Sequence, residues 1–415
     1  MISCETAWKR VLARAKPLPR TSARLDDAVG LVLAQAVRAP IAVPPFDNSA
    51  MDGYAVRAAD IVGASESHPV RLSIVARVAA GDAWRGRLAK GQAAQIMTGA
   101  AVPRGADTVV RQEDTRSSED WVDVLTCPSR GEAVRKRGSD LAKGRVALPR
   151  GTQMGPVELS LAASLGLPRA PVHRRPRVAV LASGSELRTP GQSLRRGEIY
   201  ESSHWALCET VRAVGADVEF LGIAKDDRAQ TRKMLRRGLR ADVLITAGGV
   251  SVGEFDYVRD ELKRCKTREV FWRVAQRPGK PLLFSTRGQT LIFGLPGNPV
   301  SSLVSLHLYV LPALRRLLGL RELFPPSVRL PAAERITKPA ALRTFHRGRF
   351  VSREGQVALT LTNPNQSSGV FSSMHEAHAL TNLPPGVSVV EAGEEIEGFV
   401  LDAEALVRLR DSVSE

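Results

Sequence analysis

VAVLASGSEL, Val178–Leu187, decides how this chain is read. From Arg177 to Ala182 the residues are apolar without the alternation of a half-solvated strand, so the spacing predicts a strand covered on both faces. A loop of Ser183, Gly184, Ser185 and Glu186 then opens. Downstream, helix and strand patterns alternate: helix over Ser203–Val214, strand over Val218–Ala224, helix over Arg228–Leu239, strand over Val243–Thr246, helix over Glu254–Arg264. Strands over Val270–Val274, Leu282–Ser285 and Leu291–Phe293 follow, and a long helix over Pro299–Leu318 closes the series. This is the pattern of a doubly wound α/β domain, placed at residues 177–322.

Working outward, Glu5–Ala15 and Leu25–Ala34 have helical apolar spacing, and Val157–Leu165 reads as a third helix before the proline-punctuated stretch Pro168–Pro176. Residues 1–44 and 142–176 therefore form a mixed α/β domain. Residues 45–141, rich in short strands, Gly and turn signals, form a β-rich inserted domain, and residues 323–415 a β-barrel-like carboxyl-terminal domain. A chain of 415 residues is long enough for several cores. The start reads as an amphipathic helix rather than a signal core, and no apolar run is long enough for a membrane helix. Cys4, Cys127, Cys208 and Cys265 have neither zinc-site nor disulfide spacing, which fits a reducing cytoplasm. The formal net charge is +16 at pH 7. Its basic residues are scattered, with few aromatics among them, so a nucleic-acid partner is not expected; a positive field instead favours anionic small molecules.

In an open α/β sheet, ligands gather at the carboxyl ends of the strands. Those ends carry Ser183, Gly184 and Glu186; then Asp226; then Gly248, Gly249, Ser251 and Gly253, with Asp256 beyond; then Arg277 and Lys280 in RPGKP; and finally Pro296, Gly297 and Asn298. Glycine loops entering helices expose N–H groups that cradle phosphate. Glu186, Asp226 and Asp256 offer hard oxygens suited to Mg2+. Arg277 and Lys280, flanked by prolines, suit an oxyanion. Singly, the same residues are better read as helix caps, turn glycines and solvated charges; their shared edge favours a site.

Motifs before and after this domain carry a resemblance. PPFDNSAMDGYAV (Pro44–Val56), IMTGAAVPRGADTVVRQED (Ile96–Asp114), RKRGSD (Arg135–Asp140), VAVLASGSEL, ITAGGVSVGEFDY (Ile245–Tyr257), RPGKP (Arg277–Pro281) and GLPGNPVSS (Gly294–Ser302) occur in the order seen in the molybdopterin molybdenumtransferases. The chain resembles this MoeA family, which includes the gephyrin E domain, from its first helix to its last hundred residues. The resemblance implies a MoaB/MogA-like α/β domain and insertion of molybdate into adenylated molybdopterin with release of AMP, assisted by magnesium. It also implies a homodimer whose cleft takes Asp52, Thr98 and Asp140 from one subunit. Glu186, Asp226, Asp256, Arg277, Lys280 and the Gly294–Pro299 loop would come from the other. Thr98 would donate to an oxo group or to the pterin phosphate. Transient contacts with the molybdopterin adenylyltransferase and with cofactor-accepting enzymes are expected too. Two alternatives share the fold: an inactive pterin-nucleotide-binding or scaffold relative, and the adenylyltransferase itself. The chain departs from the family pattern at Ser185, where an acid is usual, at Ser203, where Asn is usual, and at Arg277, where Lys is frequent. Asn365–Gly369 is a looser match to the family's NQGSG.

Overall fold

A computed structural model describes residues 1–250 and 257–414. The chain divides into two compact units, one of residues 1–21, 30–34 and 172–415, the other of 22–29 and 35–171.

At the centre of the first unit lies a six-stranded sheet. Its order is Asp217–Ala224, Arg177–Ser183, Val243–Ala247, Thr290–Leu295, Leu283–Arg287, Arg268–Trp272. The first four strands are parallel and the last two join antiparallel. Residues such as Val180, Leu181, Ile245 and Phe293 are wholly buried, as the unbroken apolar runs require of strands covered on both faces. One face packs with Leu207, Val211, Val304 and Tyr309, the other with Leu235, Val258 and Leu262. From Arg177–Ser183 the chain moves to one side of the sheet and then to the other. This reversal is the switch point at which α/β sheets open a crevice.

The helix expected over Pro299–Leu318 runs as Pro299–Ser305 and Leu311–Leu318, joined by a π turn at Leu306–Val310. The helix expected over Leu25–Ala34 does not form. Only the 3-10 turn Leu25–Asp27 is present, Gly30 follows at φ +75°, and Leu33 pairs with Val172. Apolar spacing was satisfied there by burial of Leu31, Val32 and Leu33 as extended chain.

The same unit holds an antiparallel sheet ordered Ser327–Pro331, Glu395–Val400, Ala379–Thr381, Arg347–Arg353, Gln356–Leu361. A bridge from Ala332 to Leu359 brings its two edges together, so the sheet curls toward a barrel.

In the second unit a six-stranded sheet is ordered Thr108–Arg111, Gly53–Val56, Gln92–Ile96, Val70–Val78, Trp121–Val124, Thr115–Ser117. Gly53 sits between two strands so closely that a Cβ there would lie 1.9 Å from the Val110 carbonyl oxygen. Only glycine allows this approach. No helix among the described residues is long and apolar enough to cross a membrane.

Candidate active site

The carboxyl ends of the parallel strands frame a cleft of about 870 Å³ within the first unit. Into it the sheet brings Ser183, Gly184 and Glu186 after one strand and Asp226 after its neighbour. Gly248 and Gly249 follow the third strand, and Pro296, Gly297 and Asn298 the fourth. Arg277 and Lys280 line it as well. Ser251, Gly253 and Asp256 lie outside the described residues.

The carboxylate side is built from two adjacent loops. Ser185 N–H donates to Asp226 Oδ2 at 3.3 Å, and its Oγ accepts from Asp226 N–H at 2.9 Å. Thus Ser185 ties the two acidic loops together. Glu186 and Asp226 are both exposed to the cleft. A Cβ on Gly184 would lie 2.5 Å from a Glu186 carboxylate oxygen, so that glycine leaves room for the acid.

The floor depends on Gly248. It has φ +91°, and a Cβ would approach the Ser183 carbonyl oxygen to 2.4 Å. Its N–H is bonded to the Leu295 carbonyl at 3.0 Å, which pins the floor to the neighbouring strand.

On the cation side, Arg277 and Lys280 are exposed, whereas Gln276 between them and the core is wholly buried. Gln276–Arg277 also pairs in parallel with Arg343–Thr344, and the Arg277 carbonyl accepts from Phe345 N–H at 2.8 Å. Nearby His346 is buried, and its Nδ1 lacks a hydrogen-bond partner. Burial, reinforced by Arg347, Arg277 and Lys338, pushes its pKa down to about 4, so it is neutral at physiological pH.

Sequence reasoning left three features of the cleft unassigned. Glu201 lines it, is almost fully buried, and accepts from His204 N–H at 2.9 Å. Gln276 lines it too. Residues 366–368 form a further wall, joined to the Asn298 amide by Ser368 Oγ at 3.0 Å. Buried Arg347 holds that wall through the carbonyls of Gln366 and Ser367, each at 3.0 Å. The signals were present in the YESS and NQSSG stretches. No periodicity, however, connects a loop near residue 366 to one near residue 298.

Asp52, Thr98 and Asp140 belong to the second unit and are exposed there. Asp52 Oδ1 accepts from both the N–H and the hydroxyl of Thr98, each at 2.6 Å. Those bonds, the hydroxyl's first, hold the Asp52 pKa below the usual carboxylate value. The first acid of the same motif does different work. Asp47 bonds Lys136 Nζ at 3.0 Å and Arg137 N–H at 2.8 Å, anchoring the loop that carries Asp140. The segment Asn48–Ser49 pairs with Val134–Arg135, and Ser49 N–H reaches the Ala100 carbonyl at 3.0 Å. Three motifs far apart in sequence are thereby gathered at one edge of this unit.

Comparison with known proteins agrees along nearly the whole chain. Residues 2–166 match the MoeA N-terminal region (domain I and II), 179–316 a probable molybdopterin binding domain, and 329–401 the MoeA C-terminal region (domain IV). A molybdopterin molybdenumtransferase of Nostoc sp. is 36% identical over 374 residues, covering 89% of this chain and 86% of that protein. Molybdopterin molybdenumtransferase 2 of Mycobacterium tuberculosis is 38% identical over 379 residues, covering 90% and 93%. A crystal structure of a molybdopterin biosynthesis MoeA protein from Pyrococcus horikoshii superimposes with a TM-score of 0.85 at 29% identity, over 96% of this chain and 99% of that one.

Proposed function

The chain belongs to the MoeA family of molybdopterin molybdenumtransferases, and from that premise we propose how its cleft works. It is a transferase of molybdenum cofactor biosynthesis that inserts molybdenum into molybdopterin. The substrate form is the adenylated pterin, and AMP leaves as the metal enters. The observation that carries this reading is the gathering of exposed carboxylates, glycine-loop amides and two cations around one cleft.

Arg277 and Lys280 hold molybdate by charge-assisted hydrogen bonds. The amides near Gly249 and Gly297 cradle the phosphates of the pterin nucleotide. Binding both partners in one crevice lets proximity supply much of the rate. No cysteine is among the described residues that line the cleft, and Cys4 and Cys208 are buried, with burial raising each thiol to about 11.

Magnesium fits the residues present. Among the described residues no group of three His, Cys, Asp or Glu side chains could hold a metal. Magnesium, however, is commonly bound by one or two carboxylates together with substrate phosphates and water. Glu186 and Asp226 would hold it, with Asp256 as a further ligand, and the ion would neutralise charge on the phosphoanhydride.

The working form is a homodimer in which Asp52, Thr98 and Asp140 complete the partner's cleft, in a reducing cytoplasm. Passing contacts with the adenylyltransferase and with cofactor-accepting enzymes supply substrate and collect product. The exposure of the Asp52–Thr98 pair supports a role in contacting a ligand or a second chain.

The test is an anaerobic incubation with adenylated molybdopterin, molybdate and magnesium, following AMP and reconstitution of an apo-molybdoenzyme. Molybdate-dependent AMP release with reconstitution is expected, and Glu186→Ala should lower it by about a hundredfold or more. Retention of full activity by Glu186→Ala and Asp52→Ala would refute the assignment of these acids. Failure of the wild-type protein to release AMP would refute the insertase itself.

A further inference from the structure

Behind the cation side of the cleft lies a buried polar network that the chemistry above does not use. Gln276 is 0% exposed, yet every hydrogen-bonding valence of its amide is engaged. Its Oε1 accepts from the Tyr309 hydroxyl and, at 3.6 Å, from the Cys4 thiol. Its Nε2 donates to the carbonyls of Pro278 and Gly279, at 3.0 and 3.4 Å. The orientation of the amide is fixed by its partners, since a flipped oxygen would face two carbonyl oxygens. Tyr309 and Cys4 are themselves buried, and burial keeps both protonated as donors. The π turn that breaks the long helix contains Tyr309; such turns re-aim a side chain and recur at functional sites. Gly279, at φ +90°, packs against the amide so tightly that a Cβ would lie 2.7 Å from both Gln276 Nε2 and Ser305 Oγ.

An apolar side chain of similar volume would fill this place without the desolvation cost of an amide. What the amide adds is a hold on two consecutive carbonyls, those of Pro278 and Gly279. The residues on either side of that pair are Arg277 and Lys280.

We propose that Gln276, buttressed by Tyr309, is a positioning residue for oxyanion capture, acting through the Pro278 and Gly279 carbonyls to hold Arg277 and Lys280 ready for molybdate. This rests on the insertase reading of the same cleft.

The experiment compares the full-length wild-type protein with Gln276→Met, Tyr309→Phe, Lys280→Ala and the Gln276→Met/Lys280→Ala double variant. Molybdate is titrated calorimetrically, and molybdate-dependent AMP release is measured in parallel. Loss of the amide bonds should weaken molybdate binding about tenfold in Gln276→Met and about threefold in Tyr309→Phe. The kcat at saturating molybdate should stay within about twofold, because the bonds act on the loop that captures the anion rather than on the anhydride. The double variant should bind little worse than Lys280→Ala alone, since Gln276 acts through the same loop.

Unchanged molybdate affinity in Gln276→Met, or losses that simply add in the double variant, would overturn the proposal. So would a fall in kcat with half-saturation unmoved, or a wild-type protein that binds no molybdate. Should Gln276→Met not fold, Tyr309→Phe decides by the same criteria. A wild-type protein that binds molybdate but releases no AMP would sink the insertase reading, while the titration still decides this one.

Discussion

On the carboxylate side of the cleft, Glu186 and Asp226 sit at the ends of adjacent parallel strands, with one reciprocal pair of bonds through Ser185 between their loops. On the cation side, Arg277 and Lys280 are just as exposed, but they lie outside the six-stranded ladder, Arg277 in the short parallel pair of Gln276–Arg277 with Arg343–Thr344 and Lys280 in the turn beyond it. That segment is held from beneath by fully buried Gln276 and Tyr309. The contrast shows where a fold must invest buried polar groups. Loops that issue directly from a hydrogen-bonded ladder inherit their position, and short surface contacts suffice. A loop that leaves the ladder needs internal donors and acceptors to fix it.

If that contrast is right, substitutions should separate by side. The largest effect is expected at the floor both sides share. Gly248→Ala places a methyl 2.4 Å from the Ser183 carbonyl at a backbone angle that L-residues avoid. Chemical denaturation should register a loss of about 3 kcal/mol. Retained stability would mean that the floor yields more readily than its geometry implies.

Next comes the pH response of the cation side. His346 titrates near 6.5 in an unfolded chain and at about 4 in the fold. Between those values the unfolded state binds more protons, so stability rises with pH there. The stabilisation is fully present above about pH 6.5 and is lost as pH falls toward 4. His307, pushed to about 4 mainly by burial, contributes with the same sign. His346→Gln should therefore flatten, without abolishing, the decline in melting temperature between pH 6.5 and 4. An unaltered pH profile in that variant would show that His346 is not held neutral.

A smaller effect is expected on the carboxylate side. Ser185→Ala removes the acceptor for Asp226 N–H at an exposed position and should cost about 0.5–1 kcal/mol. The magnesium concentration needed for half-maximal AMP release should rise with it. A stability loss as large as that of Gly248→Ala would erase the distinction between the sides.

Smallest is a local effect at the edge of the second unit. Thr98→Val removes the hydroxyl that does most to hold the Asp52 carboxyl below its usual pKa. Its titration, followed by NMR, should move upward. No movement would assign the depression to the Thr98 N–H alone.

Much of the lining of the candidate cleft was legible because strand ends are legible. An unbroken apolar run followed by a glycine or acidic loop marks both a buried strand and the edge where ligands gather, so Glu186, Asp226, Gly248 and Asn298 could be grouped from spacing alone. Gln276 could not. Its neighbours in sequence, Ala275 and Arg277, say nothing of Tyr309 or Cys4, which reach it from the π turn and from the first helix. Arg347 was hidden for the same reason: a lone arginine in a strand pattern reads as surface charge, and only the folded chain shows it bonded to the carbonyls of residues 366 and 367. The helix misread over Leu25–Ala34 shows the converse error, where apolar spacing was met by burial of an extended segment.

By itself, then, the sequence determined the α/β core, the order of its loops and the chemical character of the cleft. Hydrophobic period and glycine placement are local properties, written in consecutive residues. Tertiary structure alone decided which buried amide braces the cations, how Ser185 serves two acidic loops, and why Asp47 anchors a loop while Asp52 faces Thr98. Each of these depends on a donor meeting an acceptor from a distant part of the chain, and that meeting is fixed by packing rather than by spacing.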